Sequence, residues 1–114
     1  MSGTLTTHVL DTSSEGPAAG VSVTAKRVGS SVETIATGTT NEDGRVPEPL
    51  LAGEQMEAGT YQLWFAVGDY YREQSTETSF LEDVPVQFVI TDPEEHYHVP
   101  LLVSPGGYTT YRGS

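Results

Sequence analysis

Three histidines, His8, His96 and His98, are the only imidazoles in a chain of 114 residues that contains no cysteine. Two of them lie in "HYH" (96–98). Residues two apart on a strand point the same way, so His96, His98, Pro100 and Leu102 share one face and Tyr97, Val99, Leu101 and Val103 the other. The second set is an apolar core face, which turns His98 away from the core. "TLTTHVLD" (4–11) repeats the pattern, with Leu5, Thr7 and Val9 on one face and Thr6, His8 and Leu10 on the other. Two imidazoles on the outward faces of two strands can meet.

Taken singly, each histidine reads as a surface residue on the solvated side of a strand. Taken together, they admit two kinds of chemistry. Three imidazoles with a His-x-His pair can hold zinc and leave one position open for water. Alternatively, imidazoles that titrate near neutral pH serve as general acid and base without a metal, while an arginine stabilises developing oxyanion charge. Periodicity does not rank these two. The absence of cysteine removes thiolate ligands, a thiol nucleophile and a disulfide framework, and is compatible with a reducing compartment.

Sixteen Asp and Glu against five Lys and Arg give a formal net charge of −11. Such a surface repels phosphate backbones, so nucleic acid is not an expected partner. The acids are dispersed, as in a solvated surface, and the five cations, Lys26, Arg27, Arg45, Arg72 and Arg112, carry more information. No apolar run approaches the ~20 residues that cross a bilayer, and the patterned sequence begins at Thr4 without a basic, hydrophobic leader. The expectation is a soluble cytoplasmic protein with no membrane partner, folded as a single domain over residues 1–114.

The elements that must position the histidines are strands. After 4–11, "VSVTAKRV" (21–28) alternates Val21, Val23 and Ala25 against Ser22, Thr24 and Lys26, and "ETIAT" (33–37) follows. "NEDGR" (41–45) is turn chemistry that delivers Arg45 just past a bend, with a short strand expected beyond it. "TYQLWFAV" (60–67) is the clearest strand, with Tyr61, Leu63, Phe65 and Val67 inward, and is expected to be central. "GDYYREQST" (68–76) breaks the alternation and predicts the one short helix, capped near Asp69. Strands at 84–90, 96–103 and 107–111 complete the pattern. About eight short strands predict an all-β, two-sheet antiparallel sandwich.

"HVLD" (8–11), "EDGR" (42–45), "HYHVPLLVSP" (96–105) and the closing "YRGS" (111–114) together resemble the 5-hydroxyisourate hydrolase family of transthyretin-like enzymes. The resemblance covers essentially the whole chain and keeps the order and spacing of the motifs. It implies an eight-stranded transthyretin-like sandwich with a short helix after the fifth strand, assembled as a homotetramer with active sites between dimers. It also implies hydrolysis of 5-hydroxyisourate, a urate oxidation product, to 2-oxo-4-hydroxy-4-carboxy-5-ureidoimidazoline, without metal or cofactor. Carried over by position, His8, Arg45 and His98 are catalytic. His8, Arg45, Tyr111, Arg112, Gly113 and Ser114 hold the substrate, so that the tail becomes part of the site wall. Transthyretin carriers share the fold but lack these histidines, this arginine and this ending. The rival expectations are therefore a carrier that binds without turnover, or an adhesive sandwich with no site. In "SPGGY" (104–108) the chain departs from relatives that carry an aromatic residue after the proline; this touches a turn and no signature residue.

Overall fold

Alternation in the sequence becomes alternation in burial. In a computed structural model, which describes residues 3–74 and 80–113, strand β1 (Thr4–Asp11) buries Leu5, Thr7, Val9 and Asp11 and turns Thr6, His8 and Leu10 outward. The remaining elements are β2 (Gly16–Pro17), β3 (Ser22–Val28), β4 (Val32–Thr39), β5 (Leu51–Ala52), a 3-10 turn (Gly53–Gln55), β6 (Gly59–Ala66), α1 (Val67–Glu73), β7 (Asp83–Ile90), β8 (Tyr97–Ser104) and β9 (Gly107–Thr110). One sheet has the order β2-β1-β8-β9, with β5 also on β1, and the other has the order β4-β3-β6-β7. The inner faces meet in one hydrophobic cluster. Leu5, Val9, Leu101 and Val103 from the first sheet and Val23, Ala25, Leu63 and Phe65 from the second are fully buried in it. β6 lies between β3 and β7, in the central place its alternation predicts.

The two-sheet sandwich with a short helix is therefore as expected, with local differences. Among the described residues every strand pair is antiparallel except β1 with β8, which run parallel. No hairpin joins these two strands, and the long connection between them, which passes through the second sheet, frees them from the antiparallel direction that a tight turn imposes. The strand expected directly after Arg45 does not form. Pro47 and Pro49 there have no N–H to give to a ladder, and pairing resumes only at β5, which lies against Leu5 and Thr4. The helix starts at Val67, two residues before Asp69, with Ala66 at the cap position and no side-chain cap. Asp69 instead pairs with Arg72, which also binds Glu82. Ser75 and Thr76, the end of the predicted helix, lie outside the described residues.

The C-terminal end of β1 is fixed by a charge. Asp11 is 3% exposed. Its Oδ1 accepts hydrogen bonds from Ser13 N (3.0 Å), Ser13 Oγ (2.6 Å) and the Tyr71 hydroxyl (2.9 Å), and its Oδ2 accepts one from the Tyr70 hydroxyl (2.8 Å). These bonds tie α1 to β1. Desolvation by burial pushes the carboxyl pKa up, but the donors from Ser13, Tyr70 and Tyr71 outweigh it and hold the group below its ordinary value. Burial and the neighbouring Asp11 carboxylate push Tyr70 up to about 12, and Tyr71 is raised in the same way. A carboxylate with a depressed folded pKa contributes stability above its unfolded value of about 3.9, and that contribution is lost as pH falls through the folded value. Asp11→Ala, which leaves the buried Tyr70 hydroxyl without its acceptor and the Tyr71 hydroxyl with only the Val103 carbonyl at 3.3 Å, is expected to cost about 3 kcal/mol at pH 7. Thermal melts should show the gap to the parent protein closing below about pH 4; an equal gap at pH 7 and pH 3 would contradict the charged network.

Candidate functional site

Parallel pairing sets Thr6 opposite His98 and His8 opposite Pro100. The two histidines thus stand on neighbouring strands, on the same outward face, two residues out of step, and each is half-buried. Thr6 Oγ1 lies 2.9 Å from His98 Nδ1, which leaves Nε2 of that ring for other partners. His96 shares this side but precedes β8. It is exposed and pairs through Nδ1 with Thr4 Oγ1 at 3.1 Å. Among the described residues no three His, Asp or Glu side chains gather as a metal-ligand set.

The "NEDGR" loop holds His8 and brings Arg45 to it. Asn41 organises the loop: its Oδ1 accepts from Asp43 N (2.9 Å) and Arg45 N (3.1 Å), and its backbone carbonyl accepts from Gly44 N (2.9 Å). Gly44 has φ +78°, where side chains are disfavoured. Its carbonyl accepts from Val9 N at 2.7 Å, which stitches the loop to β1. A Cβ at Gly44 would lie 2.4 Å from the Val9 carbonyl oxygen and 3.2 Å from His8 Cδ2, so glycine alone permits this approach. The loop then meets the imidazole directly, because His8 Nε2–H donates to the Asp43 carbonyl at 2.9 Å. A carbonyl only accepts, so the neutral ring keeps its proton on Nε2 and its lone pair on Nδ1. Arg45, exposed, forms a one-residue antiparallel bridge with His8.

The tail holds His98 in a similar way. β8 pairs with β9 only as far as Leu101 and Thr110, because Pro100 has no N–H, and Thr110 Oγ1 instead donates to the Pro100 carbonyl at 2.8 Å. Pairing returns at Gly113, whose N–H donates to the His98 carbonyl at 2.7 Å. A Cβ on Gly113 would lie 2.7 Å from His98 Cδ2 and 3.4 Å from Pro100 Cγ, so the tail backbone lies flat against the imidazole. The same register carries exposed Tyr111 opposite Pro100 and Arg112 opposite Val99. Arg112 accordingly points to the other side of the tail. Its guanidinium sits 4.1 Å from the Tyr97 ring centroid and donates to Glu95 Oε1 (3.1 Å) and the His96 carbonyl (2.9 Å). Ser114 lies outside the described residues.

Of the residues singled out in the sequence, the fold brings together His8, Arg45, His98 and Gly113. It turns the Arg112 side chain away from them. Reading the sequence took Asp43-Gly44 as turn chemistry, and did not single out Thr6, the Asp43 carbonyl or Gly44 as neighbours of the histidine rings, where all three lie. Alternation had already placed Thr6 on the face of His8, but its contact with His98 needs the β1–β8 register. Electrostatics also couples the group. Desolvation, then the positive charge of Arg45, then that of His8 lower the His98 pKa. His98 is therefore neutral at neutral pH, and a neutral imidazole beside a fixed cation is equipped to take a proton from water.

Because the tail meets His98 where any Cβ would clash with the ring, Gly113→Ala is expected to displace ring or tail while sparing the core. Initial rates on freshly generated 5-hydroxyisourate, the substrate that the sequence resemblance implies, should fall by at least ~10-fold with little change in melting temperature. Unaltered rates would show that ring and tail are not in the contact described.

The model of the HIUase/Transthyretin family matches residues 5–113. A 5-hydroxyisourate hydrolase of Halalkalibacterium halodurans is 51% identical over 119 residues, covering 100% of both chains. The solved structure of Klebsiella pneumoniae 5-hydroxyisourate hydrolase superposes with a TM-score of 0.85 at 38% identity, covering 98% of this chain and 99% of that one. Sea bream transthyretin, solved in complex with thyroxine, superposes with a TM-score of 0.89 at 30% identity over 96% of this chain and 93% of its own. Backbone shape does not separate the enzyme from the carrier; sequence identity leans toward the hydrolases. The chain belongs to the HIUase/Transthyretin family.

Proposed function

We infer that this protein is a 5-hydroxyisourate hydrolase. The observation that carries the reading is the meeting of His8, His98 and Arg45 on one outward face, and it is supported by full-length similarity to proteins of that name. Water attacks a ring amide carbonyl of 5-hydroxyisourate, a C–O bond forms and the ring C–N bond breaks. The opened product is 2-oxo-4-hydroxy-4-carboxy-5-ureidoimidazoline, richer than the substrate by one water. No metal or cofactor enters the scheme.

In this reading the two imidazoles share the proton transfers. The water gives up a proton to an imidazole nitrogen facing it, and the departing ring nitrogen receives one. Each ring presents one nitrogen for this work, Nδ1 of His8 and Nε2 of His98, because the other is bound to the Asp43 carbonyl or to Thr6. Arg45 orients the substrate and stabilises the oxyanion of the tetrahedral intermediate. The reading also assigns Tyr111, Arg112, Gly113 and Ser114 to the substrate-binding wall, Ser114 on the family resemblance alone because it lies outside the described residues. Gly113 contributes by its contact with His98, and Arg112 by clamping the tail on Glu95, the His96 carbonyl and Tyr97. The reading includes a homotetramer. It is supported by the half-buried histidines facing away from the subunit's own core, where a partner subunit would exclude water. It also includes a cytoplasmic location, with which a cysteine-free chain is compatible; among the described residues no helix is long and apolar enough to cross a membrane.

The direct test follows the decay of 5-hydroxyisourate, generated freshly from urate, with and without the protein. Accelerated decay is expected, and an unchanged rate would overturn the hydrolase reading in favour of a carrier. His98→Asn should lose at least ~100-fold in turnover and His96→Asn far less, although the two share a side and a residue type. Equal losses would contradict the assignment. The acid limb of kcat/KM should fall below the ordinary imidazole value, because activity needs neutral His98 and its pKa is lowered. A limb above that value would contradict His98 as the proton acceptor.

A further inference from the structure

The two rings are held by different kinds of partner. His8 faces a carbonyl, which accepts and cannot donate, so its Nε2 proton is fixed in every protonation state. His98 faces the hydroxyl of Thr6 at 2.9 Å, which has one proton and two lone pairs and can serve a bare or a protonated Nδ1. Thr6 lies directly across the parallel ladder from His98, half-buried, on the outward face of β1. It is the side-chain partner of that ring within hydrogen-bond distance among the described residues.

For His98 to take a proton at Nε2, its neutral ring must carry the other proton on Nδ1. With Nε2 bare, Nδ1–H points at Thr6 Oγ1. The same bond persists when the ring becomes cationic, and it strengthens because the donor is then charged. This matters here because the other influences on the ring oppose its charge. Burial does so, as do the two cationic or titratable groups that face it, Arg45 from the "NEDGR" loop and His8 from β1. Gly113, which covers the ring from the tail, adds contact but no charge. We propose that Thr6 is a positioning residue of the hydrolysis: it accepts from His98 Nδ1–H and so keeps the bare Nε2 turned toward the reacting water. This deepens the hydrolase reading and rests on it for the identity of the reaction.

Thr6→Val keeps a β-branched side chain on the strand and removes the hydroxyl, and Thr6→Ser restores it. Thr6→Val should lose ~10-fold or more in kcat with KM nearly unchanged, and Thr6→Ser should recover most of that loss. Nitrogen-15 spectra of labelled histidine, recorded above the titration range without substrate, provide a readout independent of catalysis. In the parent protein His98 should be the Nδ1–H tautomer, and in Thr6→Val it should shift toward Nε2–H. An Nε2–H tautomer in the parent, unchanged kcat in Thr6→Val, or a Thr6→Ser variant as slow as Thr6→Val would each overturn the proposal. The parent spectrum decides the Thr6 bond even where Thr6→Val fails to fold. Because it needs no turnover, it also separates failure of this assignment from failure of the hydrolase reading, which shows as unchanged decay of 5-hydroxyisourate with the parent protein.

Discussion

The site depends on the parallel pairing of β1 with β8. Thr6 meets His98 across the ladder and His8 meets Pro100, so two strands from opposite ends of the chain present two imidazoles on one face at a fixed offset. A slip of one residue would turn either histidine into the core and a hydrophobic residue out of it. The same apolar alternation that buries Leu5, Val9, Val99, Leu101 and Val103 therefore holds the histidines outward. Core and chemistry are two faces of one register.

On this ladder rest two pieces of irregular chain, each held by backbone bonds and each touching one ring through a glycine. Gly44 brings the "NEDGR" loop against β1 and His8, and Gly113 lays the tail on His98. Neither contact leaves room for a Cβ. Loops carry function because they are free of ladder constraints, and precision then has to come from the scaffold beneath. Here it comes from Asn41, which ties the loop to itself, and from the Gly113–His98 bond, which continues the β8–β9 register beyond Pro100. Arg112 adds a clamp on the far side of the tail. The charge that made it conspicuous in an acidic chain acts here to hold backbone in place.

Much of this was legible in the sequence: period two shows which faces are buried and that His8 and His98 point outward, and the turn chemistry of "NEDGR" shows that a bend delivers Arg45. The proximity of the histidines was not. It depends on which strands pair and in which direction, a choice made by the packing of two whole sheets between residues 90 apart in sequence. Local propensity also misjudged the stretch after Arg45, where a strand was expected although Pro47 and Pro49 cannot donate to one. It misjudged the start of α1, which follows the burial of Val67, Gly68, Tyr70 and Tyr71 and not a cap at Asp69. In the tail, alternation applied from the His98–Gly113 bridge separates Arg112 from the imidazole, but that bridge is a tertiary fact and no sequence pattern announces it.

The central claim is that His8 and His98 act as one unit on a single water and a single leaving nitrogen. A double-mutant cycle on kcat/KM, with His8→Asn, His98→Asn and the combined variant, tests it most directly. If the rings act together, the combined variant should be slower than the worse single variant by no more than ~3-fold. Losses that multiply, as for two independent sites, would contradict the account.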